Sequence, residues 1–194
     1  EPIPSSLVEV PVEYVEQACS TLAADDRVTG DAVALYGASK GAELALLTGA
    51  NSDAVGAVVS ISGSGVVWEG IESLREKSGK SSWSIDGEPV PYIPYPDRQP
   101  EPGSAREYYD DGFDSADTET VEAATIPVER IDGPVQLFAG SDDQSWNSER
   151  YGDIAIDRLE RNDFGYEMGQ TVYDGAGHSI TPPSTPTYGT TKAG

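Results

Sequence analysis

The 194-residue chain carries 34 acidic and 12 basic side chains and a single His, for a formal net charge of −22. That balance excludes a nucleic-acid groove and disfavours an anionic membrane surface, since either would meet a field of its own sign. One Cys, Cys19, excludes an intrachain disulfide framework and a thiolate zinc cluster.

The length suits one domain, and no apolar run approaches the ~20 residues of a membrane helix. Four Lys against eight Arg on so acidic a chain fits a protein kept soluble in concentrated salt, a halophilic reading. Glu1 to Ser6 is polar, with no basic stretch ahead of an apolar one. The expected compartment is the cytoplasm. The chain does not open on Met, so its natural start is expected upstream.

In chain order, Val12, Val15, Ala18, Cys19 and Leu22 recur at helical spacing and predict an amphipathic helix. Ala32 to Tyr36 is a continuous apolar run, expected of a strand buried on both faces. Gly37-Ala38-Ser39-Lys40-Gly41 follows at once, and Ala42 to Leu47 predicts a helix with Gly49 as its C-cap. Ala54 to Ile61 is a second buried strand. Residues 66–125 are rich in Pro, Trp and Tyr without sustained periodicity, and are read as an insertion or lid with short helices. Pro134 to Ala139 resumes the strand pattern. Tyr151, Ile154, Ala155, Arg158 and Leu159 mark a helix face with Ser148 as N-cap. Gln170 to Tyr173 is a last strand, running into Asp174-Gly175-Ala176-Gly177-His178. From Pro182 the chain is expected to be irregular. The alternation is that of an α/β domain with a parallel sheet of four strands, small for that architecture.

Chemistry concentrates at three strand ends. Gly37 to Gly41 matches G-x-S-x-G in the context that gives the motif meaning, a strand entering and a helix leaving. Small residues flank Ser39 because strand and helix approach closely there, and the amide of Lys40 opens the helix, where free N–H groups can stabilise an oxyanion. A nucleophilic Ser needs a base, and the base an orienting acid. His178 is the sole His, in a loop after the last strand. For the acid, Gly140-Ser141-Asp142-Asp143 follows a strand; its spacing favours Asp143, with Asp142 the alternative. The order Ser39, Asp143, His178 is that of α/β-hydrolases. No dinucleotide fingerprint or metal cluster is present, and no cofactor is expected.

On these residues the chain resembles the C-terminal domain of the acyl-CoA thioester hydrolase / bile acid-CoA:amino acid N-acyltransferase (BAAT) family. The matching stretches are Tyr36-Gly-Ala-Ser-Lys-Gly-Ala-Glu-Leu-Ala-Leu-Leu47, Ser64-Gly-Val-Val-Trp-Glu-Gly-Ile71 and Ser82-Trp-Ser-Ile-Asp-Gly-Glu-Pro-Val-Pro91. Ile126-Pro-Val-Glu-Arg130, Gly140-Ser-Asp-Asp-Gln-Ser-Trp-Asn-Ser-Glu149 and Gly177-His178 followed by Pro182-Pro183 continue the match.

The resemblance implies an α/β-hydrolase-like three-layer sandwich with a mostly parallel sheet, and the triad Ser39, Asp143, His178 acting on acyl-CoA or another acyl ester. Members that transfer to amino acids carry Cys as nucleophile; Ser39 stands here, which implies hydrolysis by water, and Cys19 is assigned to the core. Family members also have strands ahead of the first helix, an all-β N-terminal domain, a second oxyanion amide from that upstream part, and a helix after the His loop. Residues 1–194 are therefore read as one truncated domain with an exposed sheet edge able to pair.

Trp68, Trp83 and Trp146 are substrate-binding candidates. The first two share the insertion with Tyr92, Tyr95, Tyr108, Tyr109 and Phe113, which either line an acyl pocket or pack the insertion onto the sheet. The Lys40 side chain either meets a CoA phosphate or lies on the helix surface. The alternatives in function are a carboxylesterase or dienelactone-hydrolase-like enzyme, and a non-catalytic fragment or interaction module.

Overall fold

The structure, a computed structural model, describes residues 4–73, 76–103 and 105–180. Its elements in order are β1 (Val10–Pro11), α1 (Glu13–Ala23), β2 (Val33–Ala38), α2 (Lys40–Asn51), β3 (Val55–Ile61), β4 (Glu69–Ser73), β5 (Glu76–Ser81), β6 (Trp83–Ile85) and β7 (Glu88–Pro89). Then come α3 (Ala105–Ser115), α4 (Thr118–Ala124), a 3-10 turn at Val128–Arg130, β8 (Val135–Gly140), α5 (Ser148–Arg161) and β9 (Met168–Tyr173). No helix among the described residues is long and apolar enough to cross a membrane.

The principal sheet has the order β2-β3-β8-β9 and is parallel throughout. Parallel neighbours need crossovers, which α2 supplies between β2 and β3 and α5 between β8 and β9. Register runs Leu35↔Val58, Val58↔Val135 and Val135↔Met168 across the four strands. This row points into a core that includes Leu46, Leu47, Ile131 and Leu159. Burying a side chain of this size contributes about 1.5–3 kcal/mol.

The helices contact one another and the sheet from one side: α1 meets α2, α2 and α5 both meet the 3-10 turn, and α2 and α5 lie on the strands they connect. On the other side the rows Tyr36↔Val59↔Gln136 and Ala38↔Ile61↔Phe138↔Thr171 carry no helix among the described residues. Among the described residues, helices thus cover one face of the sheet, as in a partial α/β-hydrolase fold. The same geometry corrects the reading of β2 as buried on both faces: its alternate residues Ala34, Tyr36 and Ala38 are exposed, Tyr36 by 62%. On α1, Val12 and Cys19 are buried, but Leu22, assigned to the same face, is 53% exposed.

Two helix ends also differ from expectation. Gly49 lies inside α2, whose C-cap is Ser52; a Cβ on Gly49 would come within 2.7 Å of Val58 Cγ2. Its role is helix-to-strand contact. The N-cap of α5 is Asn147, whose Oδ1 accepts from the Arg150 N–H at 3.3 Å, while Ser148 is the first helical residue.

Residues 66–125 hold more regular structure than short helices. β4 and β5 form an antiparallel pair, and β6 and β7 another, with β1 joining β6 in parallel (Val10↔Trp83). Asp86 and Gly87 turn β6 into β7 with φ of 53° and 78°, the left-handed pair that a two-residue hairpin loop demands. α3 and the loops around it assemble a second core of Val66, Trp68, Ile93, Tyr95, Tyr108, Trp146 and Tyr151. Its rings contact one another at offset or edge-on geometry, among them Trp68–Tyr109 at 4.8 Å and Tyr109–Trp146 at 5.4 Å between centroids. Trp68, Tyr95 and Tyr108 pack on one another and on Tyr151 of α5, in a cluster that includes no residue of the β2-β3-β8-β9 sheet.

Candidate active site

The residues that follow β2, β8 and β9 lie together at the carboxyl end of the parallel sheet. Ser39 sits between β2 and α2 with φ 54° and ψ −127°, a conformation that a non-glycine residue holds only when its surroundings impose it. Gly37 shows what imposes it: a Cβ there would lie 2.2 Å from the Gly41 carbonyl oxygen, so strand and helix close on each other through glycine. The expectation of small flanking residues holds at Gly37 and fails at Gly41, where a Cβ would meet nothing within 4 Å.

His178 follows β9. Its carbonyl accepts from the Ser62 hydroxyl at 2.7 Å, and the Ser62 carbonyl accepts from the Trp146 indole at 2.8 Å. The loop before it is stitched to the turn after β8, the Asp142 N–H donating to the Ala176 carbonyl at 2.9 Å.

The three side chains predicted from sequence come together. His178 Nε2 lies 2.9 Å from Ser39 Oγ, and His178 Nδ1 lies 3.0 and 2.9 Å from the two carboxylate oxygens of Asp143. A carboxylate only accepts, so Nδ1 carries the proton and the Nε2 lone pair faces the Ser39 hydroxyl. Asp143 is 0% exposed, and its Oδ1 also accepts from the N–H groups of Ser145 and Trp146 at 2.9 and 3.3 Å. Asp142 turns away and accepts from the Gln144 amide at 2.8 Å. Of the two candidate acids, Asp143 is the one that reaches the imidazole. Arg106 on α3 braces this turn, donating to the carbonyls of Ser141 and Asp143 at 3.4 and 3.1 Å.

Lys40 is the first residue of α2, so its amide is among those with no intrahelical acceptor. The next donors, Ala42 and Glu43, return to the Ser39 carbonyl at 2.9 and 3.4 Å. The Lys40 side chain follows neither expectation. It is folded under the elbow, its Nζ 2.8 and 2.9 Å from the carboxylate oxygens of Glu43 and 5.7 Å from the Trp83 ring centroid. Burial pulls the Lys40 ammonium below the ordinary lysine range and pushes the Glu43 carboxyl up, while the pairing opposes both.

Trp68, Trp83 and Trp146 are all buried, and each spends its indole N–H on the protein: on Ser64 Oγ at 3.1 Å, Glu43 Oε1 at 2.6 Å and the Ser62 carbonyl at 2.8 Å. Trp146 also stands edge-on to His178 at 6.0 Å. These contacts make them walls of the interior in this structure. Cys19 is buried in α1, and burial raises its thiol pKa.

Glu43, Ser62 and Arg106 were not anticipated as parts of the site. The spacing Lys40-x-x-Glu43 was the one available signal, since it places opposite charges on neighbouring turns of a helix.

The sequence model described as "BAAT / Acyl-CoA thioester hydrolase C terminal" matches residues 10–193. Peroxisomal succinyl-coenzyme A thioesterase of Mus musculus is 30% identical over 193 residues, covering 96% of this chain and 42% of that protein. Acyl-coenzyme A thioesterase 1 of Homo sapiens is 30% identical over 190 residues, with 96% and 42% covered. The chain thus spans less than half the length of these relatives. Among solved structures, a puromycin-hydrolyzing peptidase from Mycobacterium tuberculosis superposes with a TM-score of 0.52 at 16% identity, covering 87% of this chain and 22% of that one. Dipeptidyl peptidase 4 of Porphyromonas gingivalis gives 0.53 at 12%, covering 90% and 20%. At such identities the likeness is one of fold.

Proposed function

The chain belongs to the BAAT / acyl-CoA thioester hydrolase C-terminal family, and from that premise we propose that it hydrolyses acyl-CoA thioesters through a covalent acyl-serine. The observation that carries this is the hydrogen-bonded series Ser39–His178–Asp143, with both links near 2.9 Å.

Ser39 Oγ attacks the thioester carbonyl as its proton passes to His178 Nε2. The carbonyl oxygen becomes an oxyanion, to which the Lys40 amide donates. Collapse of this intermediate breaks the carbon–sulfur bond, and the leaving thiolate takes the proton from Nε2. Water then attacks the acyl-serine, giving its proton to Nε2; the second collapse releases the carboxylic acid and returns the proton to Ser39. Asp143 fixes the imidazole tautomer throughout and stabilises the imidazolium formed in each half. Arg106 supports the site from α3 by holding the turn that carries Asp143.

The test measures thiol release from acyl-CoA substrates of several chain lengths in concentrated KCl, with the parent chain beside Ser39→Ala. Loss of a triad nucleophile lowers turnover by about 10⁶-fold in a comparable serine hydrolase, so Ser39→Ala should fall to background. Equal rates in the two proteins refute the reading. A kcat/KM that favours p-nitrophenyl esters over acyl-CoA replaces the substrate class and leaves the mechanism.

A further inference from the structure

We propose that Glu43 and Lys40 are a positioning pair for the nucleophile elbow, holding the first turn of α2, and with it the Lys40 amide, in register against Trp68 and Trp83. The proposal rests on the triad chemistry above and adds residues to it.

Glu43 is 0% exposed. A buried carboxylate is tolerable only when paired and fully hydrogen-bonded, and its donors come from three separate parts of the chain. Lys40 Nζ approaches both oxygens from within α2 at 2.8 and 2.9 Å. The Trp68 N–H donates at 3.1 Å from the residue preceding β4, and the Trp83 indole at 2.6 Å from β6. Apolar side chains of the same volume serve stability as well as a buried ion pair does. What the ionic arrangement adds is direction.

Glu43 lies one turn beyond Ser39, and its bonds to two fixed tryptophans prevent α2 from rotating about its own axis. Lys40, turned back onto Glu43, ties down the residue whose backbone amide faces the reacting carbonyl. Ser39 has no slack with which to absorb a shift, because its own backbone is held at φ 54° by the close approach at Gly37. A displacement of about 1 Å at such a site costs on the order of 10²-fold in rate.

The experiment compares the parent chain, Ser39→Ala, the double variant Lys40→Met/Glu43→Leu, which also removes the acceptor shared by Trp68 and Trp83, and Trp83→Phe. The double variant removes both charges together and leaves no unpaired ion inside. Folding is followed by the thermal midpoint, active sites are titrated with a fluorophosphonate, and turnover is measured per titrated site. A double variant with a parental midpoint should lose on the order of 10²-fold in kcat while KM stays within about twofold, the signature of an interaction made in the transition state. A folded double variant with parental kcat per site overturns the proposal.

Trp83→Phe decides the question if the double variant does not fold. It removes one donor to Glu43 and leaves a smaller aromatic ring in its place, and should lower kcat about tenfold with KM unchanged; parental kcat there overturns the proposal equally. A parent chain that neither labels nor turns over, or a Ser39→Ala chain that still does, removes the triad reading itself. That failure is distinct from loss of the pair.

Discussion

Replacing Asp143 by Asn tests the site with almost no change in shape. Oδ1 of Asp143 accepts from two backbone amides, Ser145 and Trp146, at 2.9 and 3.3 Å. An asparagine must therefore keep its carbonyl oxygen there, because an NH₂ in that place would face two donors. The NH₂ is then forced to the position of Oδ2, 2.9 Å from His178 Nδ1. That donor competes at Nδ1 with Oδ1, which lies 3.0 Å away and already accepts two amides; with the NH₂ prevailing, Nδ1 becomes the acceptor and the imidazole proton moves to Nε2, where it points at Ser39 and the base is lost. The penalty for this wrong tautomer is about 10⁴-fold in kcat, or ~5.4 kcal/mol on the barrier. The two amide bonds survive, so the thermal midpoint should stay close to the parent. The assay is thiol release at saturating acyl-CoA, with Asp142→Asn as control, since that carboxylate meets only the Gln144 side chain among the contacts described. Asp143→Asn within tenfold of the parent, or an equal loss in Asp142→Asn, would refute the tautomer argument.

Three further outcomes are expected. Gly37→Ala should abolish folding or activity, because its Cβ meets Gly41 backbone at 2.2 Å, whereas Gly41→Ala, with open space around it, should raise the thermal midpoint through ~0.5–1 kcal/mol of helix propensity. Equal midpoints for the two variants would contradict the packing described at the elbow. The Arg158 guanidinium holds the Glu129 carboxyl below its ordinary range. The folded pKa is depressed, so the stabilisation is complete above about pH 4.3 and drains as pH falls below it. For this partly buried pair at the protein surface Glu129→Gln should cost about 1 kcal/mol at pH 7, with the difference closing in acid; urea midpoints at both pH values check it. Finally, the net charge of −22 should make the thermal midpoint climb with KCl, as the screening length shrinks from about 10 Å at 0.1 M to 3 Å at 1 M. A midpoint that is flat or falling over that range would end the halophilic reading.

What the sequence disclosed was what local spacing encodes. An apolar strand running into Gly37-Ala-Ser-Lys-Gly, a Gly-Ser-Asp-Asp turn after a second strand, and a lone His after a third were enough to name Ser39, Asp143 and His178. The structure brings these three within hydrogen-bond distance. Contacts between remote segments stayed hidden. Glu43 looked like one more polar residue in a helix, because its donors Trp68 and Trp83 lie 25 and 40 positions away. The tryptophans looked like pocket linings because nothing local shows where an indole N–H will find its acceptor. β1 is two residues long, too short for any period to show. The Asp86-Gly87 turn carried a readable hairpin signal that the surrounding prolines drowned. Ser148 and Asn147 are both good N-caps, and only the observed bond to Arg150 separates them.

Ser39 and His178 meet across 139 positions of sequence, and His178 and Asp143 across 35. Both bonds depend on a sheet built of non-local parallel pairs, for which loop-closure entropy must be overcome before any contact compensates it. Helices such as α2 and α5 form from local contacts and therefore lead. During refolding the far-ultraviolet helix signal should return ahead of fluorophosphonate labelling at Ser39. Labelling at Ser39 thus reports the most distant closure in the sheet, the docking of β8 against β3, which carries β9 and His178 to Ser39.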